Sequence, residues 1–108
     1  MSEDMLDQIK KEIAANEIVM FIKGTKEMPM CGFSARTIAV FKELGRPFKT
    51  VDILPDPRIR QTLSAFSNWP TIPQVFINGK FVGGCDIVTE MYQKGELKPL
   101  VEAAFSKK

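Results

Sequence analysis

The sequence predicts an α/β fold in which a small, four-stranded mixed sheet is flanked by helices. A continuous apolar stretch at Ile18–Ile22 is typical of a strand that is buried on both faces of a sheet. Helical periodicity precedes and follows it, which indicates a crossover helix to a second, parallel strand. Asn78-Gly79 separates two short apolar stretches and predicts a hairpin, because these residues accept the positive φ angles of such turns.

In the first half of the chain, a helix is expected over Ser2 to Asn16, with Ser2 or Asp4 as its N-cap. Its apolar side chains recur at helical spacing. After the first strand, a second helix is expected from Gly32 or Phe33 to Leu44, and Gly45 is its stop signal. A second strand is then expected over Phe48 to Ile53.

In the second half, Asp56 and Pro57 are a good N-cap and first-turn pair for a helix over Arg58 to Ser67. The hairpin strands are expected at 74–77 and 80–82. Asp86 is expected to cap a helix that runs to Lys94, and a last helix is expected from about Glu96 to Phe105.

Length and composition narrow the possible functions. A chain of 108 residues, 44% hydrophobic and 26% charged, is expected to form one domain over residues 1–108. A net charge of +2 gives no reason to expect nucleic-acid binding, and no apolar stretch approaches the roughly 20 residues of a membrane span. The acidic start, Met1–Asp4, is unlike a secretory or transit leader, so a cytoplasmic location is expected. The chain contains no histidine, which excludes imidazole as its own base or metal ligand.

Cys31 is the first candidate for chemistry. It lies where the loop after the first strand becomes a helix, next to free backbone N–H groups and the positive end of the helix dipole. Such positions lower a cysteine pKa from about 8.5 to roughly 3.5–7.5, and Lys23 could add a positive charge. A free cysteine is more often a small buried residue, but the flanking Pro29 and Gly32 favour a reactive thiol here.

Ser34 occupies the position where a Cys-X-X-Cys protein has its second thiol. A serine hydroxyl can cap a helix or donate to a thiolate, but it cannot form a disulfide. Any exchange reaction at Cys31 therefore needs a thiol from outside this motif.

Four ordered segments of the sequence resemble the monothiol glutaredoxins of the Cys-Gly-Phe-Ser class. The segments are Phe21–Thr25, Pro29–Ser34, Trp69–Gln74 and Asn78–Asp86. The resemblance implies a thioredoxin fold and a cis peptide bond before Pro73. It also implies that the long loop from Gly24 to Met30 accompanies cluster binding rather than fast thiol exchange.

The same resemblance implies a glutathione site. Lys23 and Arg60 would meet the glycyl carboxylate, the backbone of Ile72 would pair with the tripeptide, and the turn ending at Asp86 would bind the γ-glutamyl end. The full set of implied site residues is Lys23, Cys31, Phe33, Arg60, Ile72, Pro73, Gly84, Cys85 and Asp86.

Structural alternatives remain open for several of these residues. Lys23 and Arg60 could be solvated surface cations, and Asp86 could be an N-cap only. Trp69 is more readily explained by packing. Cys85 is best explained as a small residue that contributes its backbone N–H, although a disulfide with Cys31 is also open.

A [2Fe–2S] cluster normally takes four thiolates. The resemblance therefore implies a cluster held by Cys31 and glutathione from each of two chains, in a homodimer that forms when the cluster is bound. It implies a carrier in iron–sulfur biogenesis, with BolA-like proteins and iron–sulfur apoproteins as partners. Two alternatives are a glutathione-dependent monothiol oxidoreductase, in which Cys31 would be the catalytic residue, and a regulatory adaptor.

Overall fold

The computed structural model describes residues 4–106. Its sheet has the strand order β2-β1-β3-β4, with β1 parallel to β2 and antiparallel to β3, and with β3 and β4 antiparallel. The strands are β1 (Ile18–Ile22), β2 (Lys49–Asp52), β3 (Gln74–Ile77) and β4 (Lys80–Gly83). The predicted four-stranded mixed sheet is confirmed.

The helices follow the predicted order. They are α1 (Met5–Ala15), α2 (Gly32–Leu44), α3 (Pro57–Ser67), α4 (Cys85–Gln93) and α5 (Leu97–Ser106). Asp4 caps α1 and Asp56 caps α3, each through its side chain, as predicted. Ser2, the other candidate cap of α1, lies outside the described residues.

The side chains of β1 contribute to the core on both faces of the sheet. Ile18, Met20 and Ile22 pack on the side of α2, α4 and α5, whereas Val19 and Phe21 pack on the side of α1 and α3. All five residues are fully buried, as expected for a strand covered on both faces. Each helix therefore contributes its apolar face to one of two core layers.

Two sequence predictions need correction. The cap of α4 is Gly84 rather than Asp86, because the first helical bond runs from the N–H of Val88 to the carbonyl of Gly84. Asp86 consequently lies in the first turn of the helix. The second strand is also one residue shorter at each end than predicted, although the N–H of Ile53 still donates to the carbonyl of Ile22.

Within residues 4–106, no helix has both the length and the apolar composition that crossing a membrane requires.

Candidate functional site

One groove brings together all nine site residues that the sequence resemblance implied. It has a volume of about 460 Å³ and runs across the ends of β1 and β3, between the first turns of α2 and α4. Its lining consists of Lys23, Cys31, Phe33, Arg60, Trp69, Thr71, Ile72, Pro73, Gly84, Cys85, Asp86 and Ile87. Thr71 and Ile87 were not expected there from the sequence.

Cys31 is the N-cap residue of α2, and its thiol is half-buried at the groove. The backbone N–H of Ser34 makes the largest contribution to lowering the pKa of Cys31 below the ordinary value for cysteine. The N–H of Phe33, the Ser34 hydroxyl and the charge of Lys23 act in the same direction, whereas partial burial opposes them. The start of the helix thus favours thiolate, as the sequence predicted.

Ser34 joins the thiol to the sheet. Its side chain is fully buried, and its Oγ accepts a hydrogen bond from the backbone N–H of Lys23 at 3.2 Å. Lys23, which directly follows β1, is therefore fixed against the first turn of α2. The hydroxyl occupies the position of a second thiol but serves as a structural link.

Two cationic side chains line the groove from different elements. Lys23 directly follows β1 and is half-buried, whereas Arg60 projects from α3 and is exposed. The Nη2 of Arg60 donates to the carbonyl of Pro70 at 3.4 Å. This contact directs the guanidinium towards the loop that forms the neighbouring wall.

The first turn of α4 forms the opposite end of the groove. Gly83 has a φ of +151°, and a Cβ there would lie 2.8 Å from the Ile87 side chain. Only glycine is therefore readily accommodated at this position. A Cβ on Gly84 would lie 3.1 Å from the carbonyl oxygen of Pro73. Gly84, Cys85 and Asp86 line the groove here, and the cap of α4 makes no side-chain hydrogen bond, so the first N–H groups of this helix are donors at the groove with the Asp86 carboxylate in the same turn.

The wall between these ends is the segment that precedes β3. The Ile72–Pro73 bond is cis, which confirms the expectation from the family resemblance. Gln74, fully buried, donates from Nε2 to the carbonyls of Trp69 at 2.9 Å and Thr71 at 3.2 Å. Gln74 was not expected to support the site, although a polar residue at the start of a buried strand is a signal that could have pointed to it.

Trp69 lines the groove and also packs against Phe81, with ring centroids 5.7 Å apart. Cys85 is buried, and its Sγ lies 3.9 Å from the Thr89 hydroxyl within α4. Cys31 and Cys85 are both free thiols. The burial of Cys85 agrees with its interpretation as a small residue that presents its backbone to the groove.

No group of three or more cysteine, aspartate or glutamate side chains that could hold a metal ion occurs within the described residues 4–106. Cys31 offers one accessible sulfur at the groove, and Cys85 is buried. A metal centre at this site would therefore need ligands from other molecules.

Comparison with known proteins gives a consistent result. Residues 18–82 match the family model described as Glutaredoxin. A relative from Synechocystis sp., described as an uncharacterized monothiol glutaredoxin, is 48% identical over 106 residues, which cover 98% of this chain and 99% of the relative.

Solved structures agree with these sequence matches. Reduced apo GrxS14 from poplar is 44% identical, with a TM-score of 0.84 and coverage of 94% of this chain and 93% of that one. A buckwheat glutaredoxin–glutathione complex is 28% identical, with a TM-score of 0.85 and coverage of 96% and 93%. With a Cys-Gly-Phe-Ser motif at its groove and these matches along nearly its whole length, the chain belongs to the glutaredoxin family, in the monothiol branch.

Proposed function

We propose that this chain binds glutathione in the groove and, together with a second copy, carries a [2Fe–2S] cluster to iron–sulfur apoproteins in the cytoplasm. The observation that carries the proposal is a single half-buried thiol, with a lowered pKa, at a groove that is also lined by two cationic side chains, a helix N-terminus and one carboxylate. The cluster is the cargo, and glutathione is the molecule that completes its ligands.

The groove is complementary to glutathione in charge. The tripeptide has two carboxylates and one ammonium group, and the groove offers Lys23 and Arg60 at one end. At the other end, the N–H groups of the first turn of α4 suit a carboxylate, and Asp86 suits the ammonium. The buckwheat glutaredoxin, which is similar in fold, was solved as a glutathione complex.

The count of sulfur ligands supports a shared cluster. A [2Fe–2S] centre takes four thiolates, and Cys31 is the one accessible cysteine within the described chain. The thiol of a glutathione molecule in the groove would add a second sulfur. Two chains and two glutathione molecules then supply four, and the cluster is released readily because two of its ligands are small molecules.

The surface around the thiol suits a protein partner. Met28, Met30 and Phe33 have 70%, 65% and 54% of their surface exposed, although all three are apolar. An exposed apolar patch of this kind is typical of an interaction site. A second copy would cover it in the homodimer. A BolA-like protein would cover it in a mixed complex and would supply any imidazole ligand, since this chain contains no histidine.

Anaerobic reconstitution tests the proposal. The protein is incubated with ferrous iron, sulfide and glutathione, then followed by visible absorption and size-exclusion chromatography. We expect a sulfur-to-iron charge-transfer band in a dimeric fraction, and loss of both with Cys31→Ser. S-methylglutathione is the matched control, because it can occupy the groove but offers no thiolate. A sample that stays colourless and monomeric with glutathione would refute the proposal.

A second function, the reduction of glutathionylated proteins, is favoured by the lowered pKa of Cys31. In that reaction the Cys31 thiolate attacks the mixed disulfide, takes the glutathionyl group and releases the protein thiol. A second glutathione then attacks the Cys31 disulfide, which yields oxidised glutathione and restores the thiolate. Rapid turnover of a glutathionylated peptide without cluster uptake would make this the main activity.

A further inference from the structure

The loop that carries the thiol is held to the sheet by a side chain outside the groove. We define the thiol loop as residues 23–31, between β1 and α2. The Oδ1 of Asp52, the last residue of β2, accepts a hydrogen bond from the backbone N–H of Gly24 at 3.0 Å. The same oxygen accepts the N–H of Leu54 at 2.9 Å.

This contact marks the end of the parallel pairing between β1 and β2. The N–H of Ile53 donates to the carbonyl of Ile22 at 2.9 Å. In a regular parallel ladder, the N–H of Gly24 would next donate to the carbonyl of Ile53. It donates to the Asp52 carboxylate instead. The side chain thereby ends the strand and sets the direction in which the thiol loop leaves the sheet.

The position of Gly24 is transmitted along the loop to the thiol. Gly24 forms an antiparallel bridge with Pro29, and the N–H of Met30 donates to the carbonyl of Lys23 at 2.8 Å. A Cβ on Gly24 would lie 2.6 Å from the Met28 oxygen and from the Met30 nitrogen. The two arms of the loop are therefore in close contact, so a shift of Gly24 moves the residue that directly precedes Cys31.

We propose that Asp52 is a positioning residue for the groove, and this inference rests on the proposed glutathione site. Asp52 acts through the backbone of Gly24 and is itself absent from the groove lining within the described residues. Through this bond, Asp52 fixes the relative positions of the two ends of the thiol loop, which are Lys23 and Cys31. The cation and the thiol can then contact the same glutathione molecule. What matters is an oxygen acceptor at this position, because the bond is made to a neutral N–H.

The rates of two reactions of Cys31 distinguish a positioning role of Asp52 from a general loss of structure. In the first, the thiolate attacks one sulfur of oxidised glutathione, forms the Cys31–glutathione disulfide and releases a glutathione thiolate. In the second, it displaces iodide from iodoacetamide, which needs no groove. Both rates are measured at one pH, with peptide mapping to resolve Cys31 from Cys85. The ratio of the first rate to the second reports how well the groove receives glutathione.

Asp52→Ala removes the bonds to both Gly24 and Leu54, and of the two only the Gly24 bond holds the thiol loop. The variant should therefore lower this ratio roughly three- to ten-fold, the range expected for loss of one hydrogen bond that fixes a local geometry. Asp52→Asn should restore the ratio to within about two-fold of wild type, because its amide oxygen accepts the same N–H. Asp4→Ala is the control, since it removes a comparable side-chain bond to a helical N–H in α1. It should lower the melting temperature and leave the ratio unchanged.

An Asp52→Ala ratio equal to wild type would overturn the inference, and so would an Asp52→Asn ratio as low as that of Asp52→Ala. If the alanine variant does not fold, amide exchange on the wild type decides, because an unprotected Gly24 N–H contradicts the bond to Asp52. A different result would show that the proposed glutathione site itself is wrong. In that case the ratio of the two rates would be no higher for the native wild type than for the same chain unfolded in urea.

Discussion

Gly84 gives the sharpest test of the groove geometry. Replacing it with alanine adds one methyl group at the cap of α4, between the Pro73 carbonyl and the Trp69 ring. The new Cβ would lie 3.1 Å from the oxygen of Pro73 and 3.4 Å from the Nε1 of Trp69. The φ of −100° is accessible to alanine, so the expected cost comes from crowding rather than from backbone strain.

The size of the effect follows from two opposing contributions. Overpacking against a backbone atom costs about 1–3 kcal/mol. Replacing glycine by alanine at a compatible φ returns about 0.4–1 kcal/mol by reducing the freedom of the unfolded chain. The free energy of unfolding should therefore fall by about 1 kcal/mol, which lowers the melting temperature by about 4–8 °C for a domain near this size. The methyl group also screens N–H groups of α4, so the reaction of Cys31 with oxidised glutathione should slow.

Gly32→Ala is the matched control. Apart from its chain neighbours and the backbone of its own helix, a Cβ at Gly32 would meet no atom of residues 4–106 within 4 Å, and the position lies in the first turn of α2. Alanine should raise the melting temperature slightly there. Thermal denaturation and the rate with oxidised glutathione are measured for both variants. If Gly84→Ala melted as high as Gly32→Ala and reacted as fast as wild type, the crowding described for Gly84 would be wrong.

Three further predictions concern the thiols and the wall of the groove. Because the folded-state pKa of Cys31 is below that of an unperturbed cysteine, the stability that the thiolate contributes is lost as pH falls through the folded pKa. The free energy of unfolding should accordingly rise with pH, up to the pKa of an unperturbed cysteine at about 8.5, by more in wild type than in Cys31→Ser. An equal rise in the two proteins, measured by urea denaturation across this pH range, would contradict the prediction. Cys85→Ser should retain the charge-transfer band after reconstitution because serine keeps the backbone N–H, and loss of the band would assign a ligand role to the Cys85 sulfur. Gln74→Leu should lower the free energy of unfolding by about 1–2 kcal/mol, since the carbonyls of Trp69 and Thr71 lose their donor, and a leucine variant that melts above wild type would contradict this.

The sequence predicted the layout of the fold because its strongest signals are local. The apolar stretch of β1, the Asn78-Gly79 turn and the Asp56-Pro57 helix start each depend on neighbouring residues. The cap of α4 was predicted less well. Asp86 is a good capping residue by type, but the hairpin and the open groove place Gly84 where the helix begins.

The groove residues were predicted through the family resemblance, whereas their supports were not. Asp52 and Gly24 are 28 residues apart, and no helical or strand periodicity relates them. Gln74 lies in a strand, and its contacts with the preceding loop depend on how that loop folds back. Side-chain bonds to distant backbone groups follow from tertiary structure, so sequence patterns of short range do not reveal them.

The full burial of β1 limits how far a movement of the thiol loop can extend into the fold. Opening of a native protein proceeds in cooperative units, and central strands open only with the whole molecule. A ligand that enters or leaves beside Cys31 can therefore displace the outer part of the thiol loop, residues 25–29, without disturbing the core, because the loop is held to α2 and to the sheet through the N–H groups of Lys23 and Gly24. Amide protection should extend through Gly24 and fall beyond it, so that the cost of admitting a ligand is confined to a few residues rather than to the stability of the fold.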